Sequence, residues 1–187
     1  MKTSTHGAAL RTTPFKLLKA EDASKILPGT VMFLPPRDII PKAAFTDPEF
    51  LDGAFNHPVV IISCPKPTQH NSQVELVIHV AAKGLKVNTG TLAAQRFGYL
   101  RVATESKPYA KDTLKLWNGM GMKRDFCYVN VKQSYMIELV ALAQYGFKEE
   151  VDAYRLTAQA TTKLINAVRS KEKGIKKMKE KVKNRTG

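Results

Sequence analysis

The chain reads as a mainly β (α+β) protein: a small β-barrel with a long first loop and a C-terminal amphipathic helix. Three observations predict this. Short apolar runs such as "TVMF", "PVVII" and "VELVIHV" recur between clusters of turn-forming residues. Those runs are joined mostly by turns rather than by helical segments, which argues for a small all-β barrel. Only from Thr157 onward does the apolar spacing become helical, through Leu164, Ile165, Val168, Ile175, Met178 and Val182.

In chain order, residues 1–26 read as an N-terminal arm, with a short helical piece around Phe15 to Ala23. The folded part, 27–170, opens at Pro28-Gly29. "TVMFLPP" is a strand stopped by Pro35-Pro36, because proline cannot donate to a ladder. Arg37 to Asn56, broken by Pro41, Pro48 and Asp52-Gly53, is a loop longer than most connections in compact domains, and loops of that length are usually functional or disordered. "HPVVIIS" (57–63) is the second strand, and "CPKPTQHNS" is a turn-rich connector. "QVELVIHVA" (73–81) is the third, with Glu75, Val77 and His79 alternating against Val74, Leu76, Ile78 and Val80. "FGYLRVA" is extended, and "TLKLWNGMGM" holds an Asn118-Gly119 turn between short extended pieces. "FCYVNVKQSYMIELVAL" gives two strands around a polar bend at Lys132 to Ser134. Five or six strands are therefore expected. Thr157 is placed to cap the final helix, and residues 171–187 form a basic tail.

Composition narrows the partners. Thirty Lys and Arg stand against 16 Asp and Glu, a net charge of +14. Eight cations and two glutamates beyond Ser170 supply +6 of this, so the body carries +8. Such a surplus favours polyanions, RNA or other nucleic acid first and acidic membrane surface second. Cys64 and Cys127 are far apart and form no Cys/His cluster; two buried thiols in a reducing compartment is the expectation. No His, Cys or carboxylate pair has metal-ligand spacing, there is no Walker-type glycine loop, and no cofactor is implied. No apolar run approaches the roughly 20 residues of a transmembrane helix. The N-terminus lacks an apolar h-region, so a cytoplasmic or nuclear protein that is not secreted is expected. Its first twenty residues are basic and hydroxyl-rich, as in a mitochondrial presequence, but Glu21 and Asp22 argue against a longer one.

"PGTVMF" followed by "HPVVIIS", in that order and separated by a long loop, resembles the MazF/PemK family of plasmid-maintenance toxins. The resemblance spans about Leu27 to Val168 and is sharp only in those two motifs. The "PGT…LPP…HPVVI" start is also similar to that of a group of fungal proteins, a likeness that carries no activity. MazF/PemK-like membership implies an SH3-like β-barrel closed by a C-terminal helix. It also implies metal-independent endoribonuclease chemistry, in which a ribose 2′-hydroxyl attacks the adjacent phosphate. A homodimer with a shared groove and an acidic protein partner are implied in the same way.

In the family, an arginine just before the second-strand proline and a hydroxyl residue at the end of the third strand carry much of the chemistry. Here His57 takes the arginine position, and imidazole can serve as acid or base near neutrality. The hydroxyl position falls on Ala81 or Ala82, whose methyls cannot hold a phosphate. His57 is therefore the candidate catalytic residue, set against the plainer reading of a histidine hydrogen-bonded at a strand entrance. Arg37, Lys83 and Lys86 flank the loops that border the family's groove, and with Lys176, Lys177 and Lys179 of the tail they are the candidate nucleic-acid contacts. Tyr99, Trp117 and Tyr128 are candidate stacking surfaces for unpaired bases, against the alternative that they are core. Two further readings stay open. One is a non-catalytic interaction module using the barrel groove; the other is anionic membrane-surface binding through the tail.

Overall fold

The fold is described here from a computed structural model covering residues 15–50, 52–63, 66–67, 72–81, 98–123, 127–146 and 150–183. Eight strands occur among them: β1 (Val31–Leu34), β2 (His57–Ile61), β3 (Lys66–Pro67), β4 (Ser72–Ala81), β5 (Tyr99–Val102), β6 (Cys127–Asn130), β7 (Tyr135–Glu138) and β8 (Ala143–Gln144). One α-helix, α1 (Ala158–Lys183), follows. The strands form one curled sheet in the order β5-β6-β4-β2-β1-β8, with β3 and β7 also paired to β4. All pairings are antiparallel. The expected mainly β, small α+β barrel with a terminal helix is what the chain forms, as a half-barrel sheet plus helix.

β4 is the hub. One edge pairs with β2, Ile61 opposite Leu76 and Val59 opposite Ile78. The other edge is shared end to end by β7, Leu76 opposite Tyr135, and by β6, His79 opposite Val129. The polar bend at Lys132 to Ser134 is what lets one continuous segment supply both neighbours. Pro58 fits the same logic. It pairs with Phe33 of β1, while pairing to β4 begins only at Val59, so its missing N–H falls at the strand's first turn of the ladder.

The unbroken run Val59 to Ile62 is explained by burial on both faces. Val59 and Ile61 point into one core with Met32, Leu34, Val74, Leu76, Phe50, Phe55, Tyr135 and Ile137. Val60 and Ile62 point into a second core with Val31, Val77, Leu100, Val102, Val129, Leu114 and Leu116. α1 seals the second core through Ala160, Leu164 and Val168, a stripe at i, i+4, i+8. Thr157 caps the helix as its position suggests: its Oγ1 accepts the Ala160 N–H at 3.2 Å. The stripe ends there, since Ile175 is 43% exposed.

Two segments without obvious periodicity are tied in by long-range contacts. Residues 15–26 lie along β8: the Leu18 N–H donates to the Leu142 carbonyl at 2.9 Å and the Gln144 N–H to that of Lys16. Leu18 and Ile26 are buried in the first core, and Phe15 stacks on Phe33 at 5.3 Å. Helix in this stretch is one short 3-10 piece, Ala20–Lys25. The long loop likewise folds back on β7. Glu138, itself buried, accepts the Phe45 N–H at 2.8 Å, and Asp47 accepts that of Met136 at 3.1 Å. Ile40, Phe50, Ala54 and Phe55 of the loop enter the first core.

Candidate functional site at the mouth of the second strand

Asn56 takes a left-handed conformation (φ 62°), which asparagine tolerates better than most residues. On either side of it the Phe55 carbonyl and the half-buried His57 ring meet, Nδ1 lying 2.8 Å from the carbonyl oxygen. A carbonyl only accepts, so Nδ1 carries the hydrogen. In neutral His57 the lone pair is then on Nε2, the arrangement a general base needs.

Phe55 also positions Arg37. The Arg37 guanidinium lies over the Phe55 ring, 4.5 Å from its centroid, and reaches Asp52 at 3.5 Å. Arg37 and His57 therefore stand on the same end of the β1–β2 hairpin, three residues beyond Leu34 and directly opposite Leu34 respectively. The Arg37–Asp52 pair is open to water, and exposed pairs of this kind contribute about 0–1 kcal/mol. A phosphate can displace Asp52 at small cost.

The remaining sequence candidates separate. Lys83, Lys86 and Ala82 lie outside the described residues, as does Cys64. Ala81 closes β4 opposite Cys127, which is buried. Lys176, Lys177 and Lys179 fall within α1, near its C-terminal end. Tyr128 is buried, and half-buried Tyr99 is covered by Lys132, whose Nζ is 5.0 Å from the ring centroid. Trp117 alone of the three aromatic candidates is exposed. Among the described residues no group of three or more His, Cys, Asp or Glu could hold a metal ion. None of their helices is long and apolar enough to cross a membrane.

One polar cluster escaped the sequence reading. Glu75, on the same face of β4 as the buried Val77, accepts two hydrogen bonds from Arg169 of α1, at 2.7 and 2.5 Å. Arg169 also donates to Glu172 at 3.0 Å. The Ser134 hydroxyl lies 2.5 Å from Glu75 and 2.6 Å from Glu172, and its single hydrogen serves one of them at a time. The cluster fixes α1 to β4 and to the β6–β7 bend just where the apolar stripe ends. The only signal in the sequence was a glutamate set between Val74 and Leu76.

The Arg169 guanidinium holds the Glu75 carboxyl below the ordinary carboxylate range, against the opposing pull of burial, and Glu75 raises Arg169 in turn. Because the folded value is depressed, this stabilisation is complete above the unfolded pKa of about 4.3 and is lost as pH falls through the lower folded value. Glu75→Gln is accordingly expected to cost about 1–2 kcal/mol at neutral pH, allowing for Arg169's partial exposure. The wild-type advantage should shrink toward zero below about pH 4. Thermal melts of both proteins across pH check it, and a gap that persists unchanged in acid contradicts it.

Neither a protein-family profile, nor a curated protein, nor a solved structure matches this chain.

Proposed function

We propose that this chain is a nucleic-acid-binding barrel of MazF/PemK-like type that prefers single-stranded RNA. The observation that carries the reading is the charge of +14, of which +8 belongs to the body and +6 to the segment after Ser170. A folded domain with that surplus attracts polyphosphate chains over long range. Arg37 at the strand mouth, Lys83 and Lys86, and Lys176, Lys177 and Lys179 of α1 are the residues assigned to phosphates. The test is fluorescence anisotropy of a labelled oligouridylate titrated with the full chain at low salt. Saturable binding supports the proposal, and its absence removes it.

The His57 geometry favours a second reading on the same surface, metal-independent RNA cleavage. Nε2 of His57 would take the proton of the attacking 2′-hydroxyl, the 2′-oxygen would bond to phosphorus, and the bond to the 5′-oxygen would break. The products are a 2′,3′-cyclic phosphate and a 5′-hydroxyl that takes its proton from solvent water, to which His57 returns the one it accepted. Arg37 would offset charge on the phosphorane once released from Asp52. Cleavage should persist in EDTA and fall by about 100-fold or more in His57→Ala, the usual scale for a general base. Equal cutting by His57→Ala would refute this role, and an RNA that is bound but never cut would leave binding as the function.

A further inference from the structure

The surface around Trp117 exposes two large aromatic side chains. Trp117 is 50% exposed and Tyr109 is 74% exposed, while Phe50, Phe55, Tyr128, Tyr135 and Tyr154 are buried. The backbone that carries Trp117 is fixed by specific contacts. The Trp117 backbone N–H donates to the Arg155 carbonyl at 2.6 Å, and the flanking Leu116 is bridged to Leu156 within the second core. Asn118 and Gly119 then turn the chain with positive φ, 56° and 69°. Because Gly119 has no Cβ, the Tyr109 phenol can lie against the turn; a methyl there would sit 2.6 Å from its hydroxyl oxygen. The two aromatic side chains thus flank one short turn.

Basic residues lie near them, Arg155 in space and three lysines along the chain. The Arg155 guanidinium is 5.5 Å from the Trp117 ring centroid, and Lys107, Lys111 and Lys115 are exposed on the same segment. Asp152 lies 3.9 Å from Arg155, and Glu105 and Asp112 are the other acidic residues nearby in the chain. Two exposed aromatic rings with basic residues in the same segments are the parts of a platform for unpaired bases. The rings stack on the base, and the cations take the phosphates on either side. Duplex RNA hides its base faces and is a poor fit.

We infer that Trp117 and Tyr109, with Arg155, form a base-stacking platform for single-stranded RNA, separate from the His57 strand mouth. The inference rests on the proposed RNA-binding function and adds a second contact surface to it. Trp117 is the chain's sole tryptophan, so its fluorescence reports on this surface alone.

The test titrates the full chain with oligouridylate and, separately, with inorganic polyphosphate, which has charge but no bases. Oligouridylate should quench Trp117 emission, and polyphosphate should not. By anisotropy of a labelled oligouridylate, Trp117→Ala and Tyr109→Ala should each bind about tenfold more weakly, and Trp117→Phe should keep most of the affinity. Circular dichroism of each variant checks that the fold is intact. Wild-type affinity in Trp117→Ala, alongside persistent oligouridylate binding, would sink the platform and leave the proposed function standing. Equal quenching by polyphosphate would sink it as well. No oligouridylate binding at low salt would remove both, and quenching by a proline-rich peptide in that case would reassign the surface to a peptide.

Discussion

Gly121→Ala is expected to be among the most damaging single substitutions in the chain, although it adds only a methyl. Segments 103–105 and 120–122 run side by side. The Met122 N–H donates to the Ala103 carbonyl at 2.9 Å, and the Glu105 N–H to the Met122 carbonyl at 3.0 Å. Between them Gly121 lies flat on the Thr104–Glu105 peptide. A Cβ at this position would overlap the Thr104 carbonyl group and the Glu105 nitrogen, which are backbone atoms with no rotamer to escape into. Room can be made only by prising the segments apart, which breaks both hydrogen bonds and pulls Ala103 and Met122 out of the second core. Overpacking that moves backbone costs about 3 kcal/mol or more, and for a domain of this size that is on the order of 10 °C in Tm. Gly174→Ala is the control. Nothing lies within 4 Å of its added methyl, and it sits inside α1, so it should melt no lower than the wild type. A Gly121→Ala protein melting within about 2 °C of the wild type would contradict the packing described for the second core.

The elements that were legible in the sequence are those whose periodicity follows from burial. The apolar run Val59 to Ile62 announced a strand, and the structure supplies a core for each of its faces. The helix was readable from Thr157 because Leu164, Ile165 and Val168 fall at helical spacing, and Leu164 and Val168 are buried in the second core. The Lys132–Ser134 bend was readable because polar residues interrupt two apolar runs. Residues 15–26 were not readable as part of the barrel. Their apolar residues, Leu17, Leu18 and Ile26, follow no period, and their partners on β8 lie more than a hundred positions away. The long loop was recognisable by its prolines, but its docking depends on Glu138 and Asp47 finding backbone N–H groups across the fold.

The candidate site divides in the same way. His57 was legible by its place before the strand, and Asn56 by its tolerance of positive φ. A ring hydrogen-bonded at the strand entrance was the plainer reading of the sequence; that the partner is the Phe55 carbonyl was not legible, because a carbonyl two residues away meets the ring only in one backbone conformation. Arg37 carries an exposed ion pair to Asp52 and a ring contact to Phe55, neither of which spacing alone predicts. Tyr109 and Arg155 were invisible as partners of Trp117 for the same reason. Their proximity is produced by the pairing of Leu116 with Leu156 and by the turn at Asn118 and Gly119.

The proposed function makes a large and specific demand on salt. Each phosphate neutralised by a lysine or arginine releases condensed counterions, and for a single strand the slope of log K against log salt is about −0.7 per contact. If Arg37, the platform cations and the α1 lysines together engage about five phosphates, the slope is roughly −3.5. Between about 50 and about 200 mM salt, affinity for oligouridylate should then fall about 100-fold. A partner bound mainly through apolar contact would show almost no such loss. Measuring oligouridylate affinity across that salt range tests the account most directly: tight binding at low salt that weakens along a steep straight line is the predicted result, and no binding at low salt, or an affinity indifferent to salt, would contradict it.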